Sequence, residues 1–158
     1  MENDIKLSKS SELRLRITTD DGEPTGEYLT FDLEDIEASL RYQDMIERDK
    51  KNKDWLRKEL LIIDKRQDIK GKKLLSKNEE DRLKAINKFF KEEVEIYNMF
   101  LGENGVQKLL NGKKLGWTSL TEIDEIIEKQ ILPYFEKERK SIEDRVMNKY
   151  KIENKEVI

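Results

Sequence analysis

Leu83, Ile86, Phe90, Val94, Tyr97 and Leu101 recur at steps of three and four residues, the period at which an α-helix returns side chains to one face. The run opens on "SKNEEDRL", where Ser76 stands three residues before Glu79. At that spacing each side chain can satisfy an exposed amide of the first turn. It closes on Gly102, the residue type that most readily ends a helix. A long amphipathic helix is therefore the element around which the rest of the chain has to be arranged. Only 35% of the 158 residues are hydrophobic and 42% are charged. The remaining apolar groups must then also lie in narrow stripes between solvated faces.

Two alternating runs precede the helices. Leu13, Leu15 and Ile17 share one face of a strand, and Leu29, Phe31 and Leu33 one face of another. Between them "TTDDGEPTGE" supplies turn residues, so a β-hairpin over 12–33 is expected. From Leu33 the helical period takes over, with Asp32 as N-cap and Ile36, Leu40, Met45 and Ile46 as a loose stripe. "ERDKKNKDW" either stays helical or breaks the helix, Trp55, Leu56, Leu60 and Ile63 resume the spacing, and Gly71 marks the end. A short helix over Glu103 to Asn111 is closed by Gly112. A last helix with Thr118 or Ser119 as N-cap carries Leu120, Ile123, Ile127 and Ile131 and should be kinked or interrupted at Pro133, which lacks an amide donor. Beyond it Phe135, Ile142, Val146 and Tyr150 form a thinner stripe suited to packing against a partner. The expected class is α+β, mainly α: a hairpin and three to five helices over 34–149 in one domain, 12–150, with flexible ends at 1–11 and 151–158.

The net charge of −3 conceals segregation. Met1 to Ile36 holds 4 basic and 10 acidic residues, whereas Arg48 to Lys91 holds 16 basic and 8 acidic. Such a basic middle can meet nucleic acid, with Trp55 and Phe89-Phe90 available to stack on bases. The same residues are ordinary core material, and direct nucleic-acid binding ranks below protein binding.

Chemistry is poorly supplied. With no Cys and no His there is no thiol nucleophile, no Ser-His-Asp arrangement and none of the commonest zinc ligands. Gly112-Lys113-Lys114 lacks the following Ser or Thr of a phosphate loop and follows a helix rather than a strand. Asp20-Asp21-Gly22 lacks the alternating ligands of a calcium loop. No enzyme activity, cofactor or metal is expected. No apolar run approaches the ~20 residues that span a bilayer, so a membrane is not among the expected partners. Large apolar residues around turns are candidate anchors for a protein partner, namely Phe100, Leu101, Val106, Leu109, Leu110 and Trp117. Closing the core over the helix ends is an equal reading of the same residues.

The hairpin, the charged helices, "MFLGENGVQKLLNG" and the later "LTEIDEIIEKQILP" together resemble the tail assembly chaperones of siphophages and prophages of Gram-positive bacteria. The matching positions are Phe100, Gly102, Glu103, Lys108, Leu109, Gly112, Ile131 and Pro133. The resemblance implies a non-enzymatic protein of the host bacterial cytoplasm that coats the tape-measure protein and brings tail-tube subunits to it, homo-oligomers included among its states. Two other classes compete: a small phage regulator or inhibitor of a host protein, and a nucleic-acid binder using segment 48–91.

Overall fold

In the computed structural model of the chain, residues 2–7 and 11–157 are described, with side chains as far as Tyr150. The ends expected to be flexible, 1–11 and 151–158, fall partly outside the described residues. The protein is mainly helical, 65%, behind an N-terminal antiparallel hairpin. It divides into two compact units, one formed by Met1–Ser39 with Trp117–Ile158 and the other by Leu40–Gly116.

The first unit holds the hairpin. β1 (Glu12–Thr18) pairs with β2 (Pro24–Asp32) so that Leu13 faces Phe31 and Leu15 faces Leu29. The alternation seen in the sequence is thereby used, with Ile17, Leu29 and Phe31 buried and the opposite face exposed. On that outer face the Arg14 guanidinium lies 3.8 Å over the ring of Tyr28. The register slips between Arg16 and Thr18, where the Thr25 hydroxyl donates to the Ile17 carbonyl at 3.0 Å.

The rest of this unit is a helical rod made of α4 (Trp117–Ile126), a π-helical turn (Ile127–Ile131) and α5 (Leu132–Val157). Leu120, Ile123, Ile127 and Ile131 are all buried, as their spacing foretold, and Phe135 continues the stripe. Phe135 meets Phe31 of the hairpin edge-on, with ring centroids 5.9 Å apart. The rod starts at Trp117, so Thr118 and Ser119 lie inside its first turn rather than capping it. The interruption expected at Pro133 does not occur. A proline ring clashes with the carbonyl four residues back. The π turn, in which the Leu132 amide reaches the Ile127 carbonyl, reorganises the hydrogen bonding just ahead of Pro133 and the rod continues.

α1 (Ile36–Lys65) begins in the first unit and continues through the second. Asp35, not Asp32, sits at its start, accepting from the Glu37 amide at 3.0 Å, while Asp32 accepts from Glu34 in the preceding turn. The charged stretch stays helical because its Lys and Arg find carboxylates one turn away: Lys53 with Asp49, and Arg57 and Lys58 with Asp54. Ala38, Met45, Asp49, Leu56 and Ile63 are the buried positions, whereas Ile36 and Leu40 of the expected stripe are exposed. α1 ends at Lys65, ahead of Gly71, because a second network takes over there. Asp68 accepts from the amides of Ile69 and Asn78, and Asn78 donates to the Arg66 carbonyl.

α2 (Lys77–Leu101) has the reciprocal cap read from the sequence: Ser76 Oγ accepts from the Glu79 amide at 3.2 Å, and a Glu79 carboxylate oxygen accepts from the Ser76 amide at 3.4 Å. A side-chain hydrogen bond from Ser76, followed by the Asn78 amide, holds the Asp68 carboxyl below its ordinary range. Ser76 is buried, and its hydroxyl joins the cap to the incoming loop. Ser76→Ala is expected to cost about 1–2 kcal/mol, read as a lowered urea midpoint at unchanged m-value. Gly102 closes α2 with φ 97° and ψ 176°, a region that belongs to glycine. α3 (Gly105–Leu110) follows, with Asn98 Oδ1 taking the Val106 amide at 2.8 Å.

Candidate functional site

The six residues first taken as partner anchors separate in the structure. Phe100, Leu101 and Val106 are buried, with Phe100 edge-on to Tyr42 at 5.3 Å, so they close the core over the end of α2. Leu109 and Leu110 are half-buried. Trp117 is 53% exposed but belongs to the other unit. The burial of the first three corresponds to the core-closing alternative. A contiguous sticky surface around this turn would need them outside.

α1 and α2 bring together something the linear sequence did not display as a set. One turn apart on α1 stand Arg48, Lys51 and Trp55, and facing them on α2 stand Lys88, Glu92 and Ile96, around a cleft of about 430 Å³. Trp55 is half-buried, and Ile96 is buried at the floor. The Lys88 ammonium lies 4.9 Å over the Trp55 ring, so the aromatic face is already occupied by a cation. Several cations nearby are ion-paired, as Arg66 and Lys77 are with Asp81, Arg82 with Asp64 and Lys84 with Glu80. Arg48 and Lys51 have no ion-pair partner among the described residues. Three cations of the basic middle thus line a cleft with an apolar floor.

Beside the cleft lies a buried acid pair. Asp49 and Glu93 are 7% and 0% exposed. Asn52, which also lines the cleft, donates to Glu93 Oε1 at 3.2 Å and to the Phe89 carbonyl at 3.1 Å, and Lys53 pairs with Asp49 Oδ2 at 2.9 Å. Asp49 Oδ1 and Glu93 Oε2 are the buried oxygens of this pair that lack a donor. A proton on Glu93 supplies one. Desolvation, then the hydrogen bond and charge of Asp49, push the Glu93 carboxyl from 4.5 up to about 8, against a smaller opposing effect of Asn52 and Lys53. Neither acid was marked in the sequence, where they read as two more charges among many. The available signal was a carboxylate one or two turns from apolar residues on the buried side of each helix.

Among the described residues there is no group of three or more acids that could hold a metal ion, and no helix long and apolar enough to cross a membrane. No family model, curated protein or solved structure matches the chain.

Proposed function

We propose that the chain is a tail assembly chaperone of a siphophage or prophage of a Gram-positive bacterium, which keeps the tape-measure protein in solution and recruits tail-tube subunits to it by binding alone. The sequence likeness described above motivates the reading, and one structural observation carries it. Along α5, Val146, Met147 and Tyr150 are 61%, 53% and 57% exposed at helical spacing, with Ile142 half-buried beside them. An apolar strip of this kind on a charged helix suits a second amphipathic helix laid along it. A long helical client that must stay unassembled until the tail is built has that character.

Co-expression with the neighbouring genes, affinity capture and mass determination at low and high salt tests the proposal. A multi-copy complex with a tape-measure-like or tail-tube protein is expected to survive high salt. Val146→Asp with Tyr150→Ala should lose most of the captured client, at least about tenfold, while the exposed positions leave the thermal midpoint within a few degrees. Recovery of neither protein, or capture indifferent to the double substitution, would remove the proposal.

A further inference from the structure

The cleft between α1 and α2 has a chemistry distinct from the α5 strip, and we infer that it is a docking groove for an acidic amphipathic helix of a partner protein. The groove follows two antiparallel helices. Arg48, Lys51 and Trp55 therefore repeat about once per turn along one wall, and Lys88, Glu92 and Ile96 along the other. A linear occupant with side chains at the same helical repeat matches that geometry. Its apolar seam would rest on the part of Trp55 that Lys88 leaves exposed, above Ile96, and carboxylates on its flanks would meet Arg48, Lys51 and Lys88. Charge complementarity identifies the occupant: Arg48, Lys51 and Lys88 line the cleft against one carboxylate, Glu92, and Arg48 and Lys51 have no ion-pair partner among the described residues. Glu92 at the same cleft sets a polarity, favouring an occupant with a neutral or basic residue at that end.

A nucleic acid fits less well. Base stacking needs an open aromatic face, and Lys88 covers that of Trp55. The Glu92 carboxylate at the cleft repels phosphates, which recur along a strand without interruption. The inference does not depend on the chaperone reading, since it concerns the groove's charge and shape alone.

The test uses the full chain and three fluorescein-labelled probes: two 18-residue helical peptides with the same Leu and Phe seam, flanked by Glu in one and by Lys in the other, and a 20-nucleotide single-stranded DNA. In anisotropy titrations at moderate salt the Glu peptide is expected to bind at least about tenfold more tightly than the Lys peptide. Arg48→Glu with Lys51→Glu should abolish that preference, and Trp55→Ala should weaken the Glu peptide. Arg57→Glu, on an exposed pair with Asp54 outside the groove, should leave it unchanged. Circular dichroism and thermal midpoints establish that each variant is folded. No binding of the Glu peptide, equal binding of the two peptides, or an equal loss in Arg57→Glu overturns the inference. Tighter binding of the DNA, lost on the same charge reversals, overturns it in favour of a nucleic-acid groove.

Discussion

Raising the pH from 5 to 9 should destabilise the protein by about 2–3 kcal/mol, and Glu93→Gln should remove most of that loss. The sign follows from where the proton sits. In the unfolded chain Glu93 ionises near its ordinary 4.5, while in the folded chain it holds its proton up to about 8. Between those values the folded state binds more protons than the unfolded one, so stability falls as the pH rises, with a limiting slope of about 1.4 kcal/mol per pH unit. Below 4.5 the penalty is absent, and above about 8 it is complete. Relaxation and water around the pair reduce the realised loss below that limit. The window is unusually clean because the chain has no His and no Cys. Only the α-amino group otherwise titrates there.

Ion-paired carboxylates act in the opposite direction at lower pH. Lys58 and Arg57 hold Asp54 below its usual range, Lys84 does so for Glu80, and Arg66 and Lys77 for Asp81. Their contribution is present above their ordinary values and lost as pH falls through the depressed ones. The stability maximum is therefore expected near pH 5. In Glu93→Gln the amide oxygen can still accept from Asn52 and the amide nitrogen can donate to Asp49, so no buried group is orphaned. Urea midpoints of the two proteins should coincide at pH 5 and separate at pH 8 to 9, the variant being the more stable. Parallel curves across this range would show that Glu93 carries no displaced proton.

The same two carboxylates account for what was and was not legible in the sequence. The hairpin and the inner face of each strand could be read because the alternation is uninterrupted, and the stripe from Leu120 to Ile131 because every member is aliphatic. In α2 the reading took Leu83, Ile86, Phe90 and Val94 as the inner face. The structure instead buries Ala85, Phe89, Glu93, Ile96 and Phe100, leaving Leu83 53% exposed and Ile86, Phe90 and Val94 half-buried. Tyr97 and Leu101 are common to both faces. A small residue and an acid stand in the true stripe, so apolarity alone rotated the face by about one residue, roughly 100°. α1 repeats the error for the same reason, with Ala38 and Asp49 in its buried line. An acid in a stripe can be recognised as interior only once its partner on another helix is known, and no spacing along one helix contains that. The groove was hidden likewise, since its two walls lie about forty residues apart in the chain.

Phe89→Ala is expected to cost about 3–5 kcal/mol, a large part of the stability of a domain this size. Phe89 is 0% exposed, stacks edge-on to Phe90 at 5.2 Å, and its carbonyl takes one of the Asn52 amide hydrogens. Removing the ring leaves a cavity in the line that holds α2 against α1, beside an acid pair that depends on exclusion of water. The comparison with its neighbours makes the result diagnostic of the helix face. Half-buried Phe90→Ala should cost less than Phe89→Ala, and Leu83→Ala, half in solvent, should fall within about 0.5 kcal/mol of the parent. At a few degrees per kcal/mol, Phe89→Ala lowers the thermal midpoint by about 10 °C. The opposite order, with Leu83 and Phe90 costly and Phe89 tolerated, would restore the face read from apolar spacing alone. In that arrangement Glu93 would turn toward solvent, and the pH dependence argued above would vanish with it. The two experiments therefore interrogate one packing decision, and they must succeed or fail together.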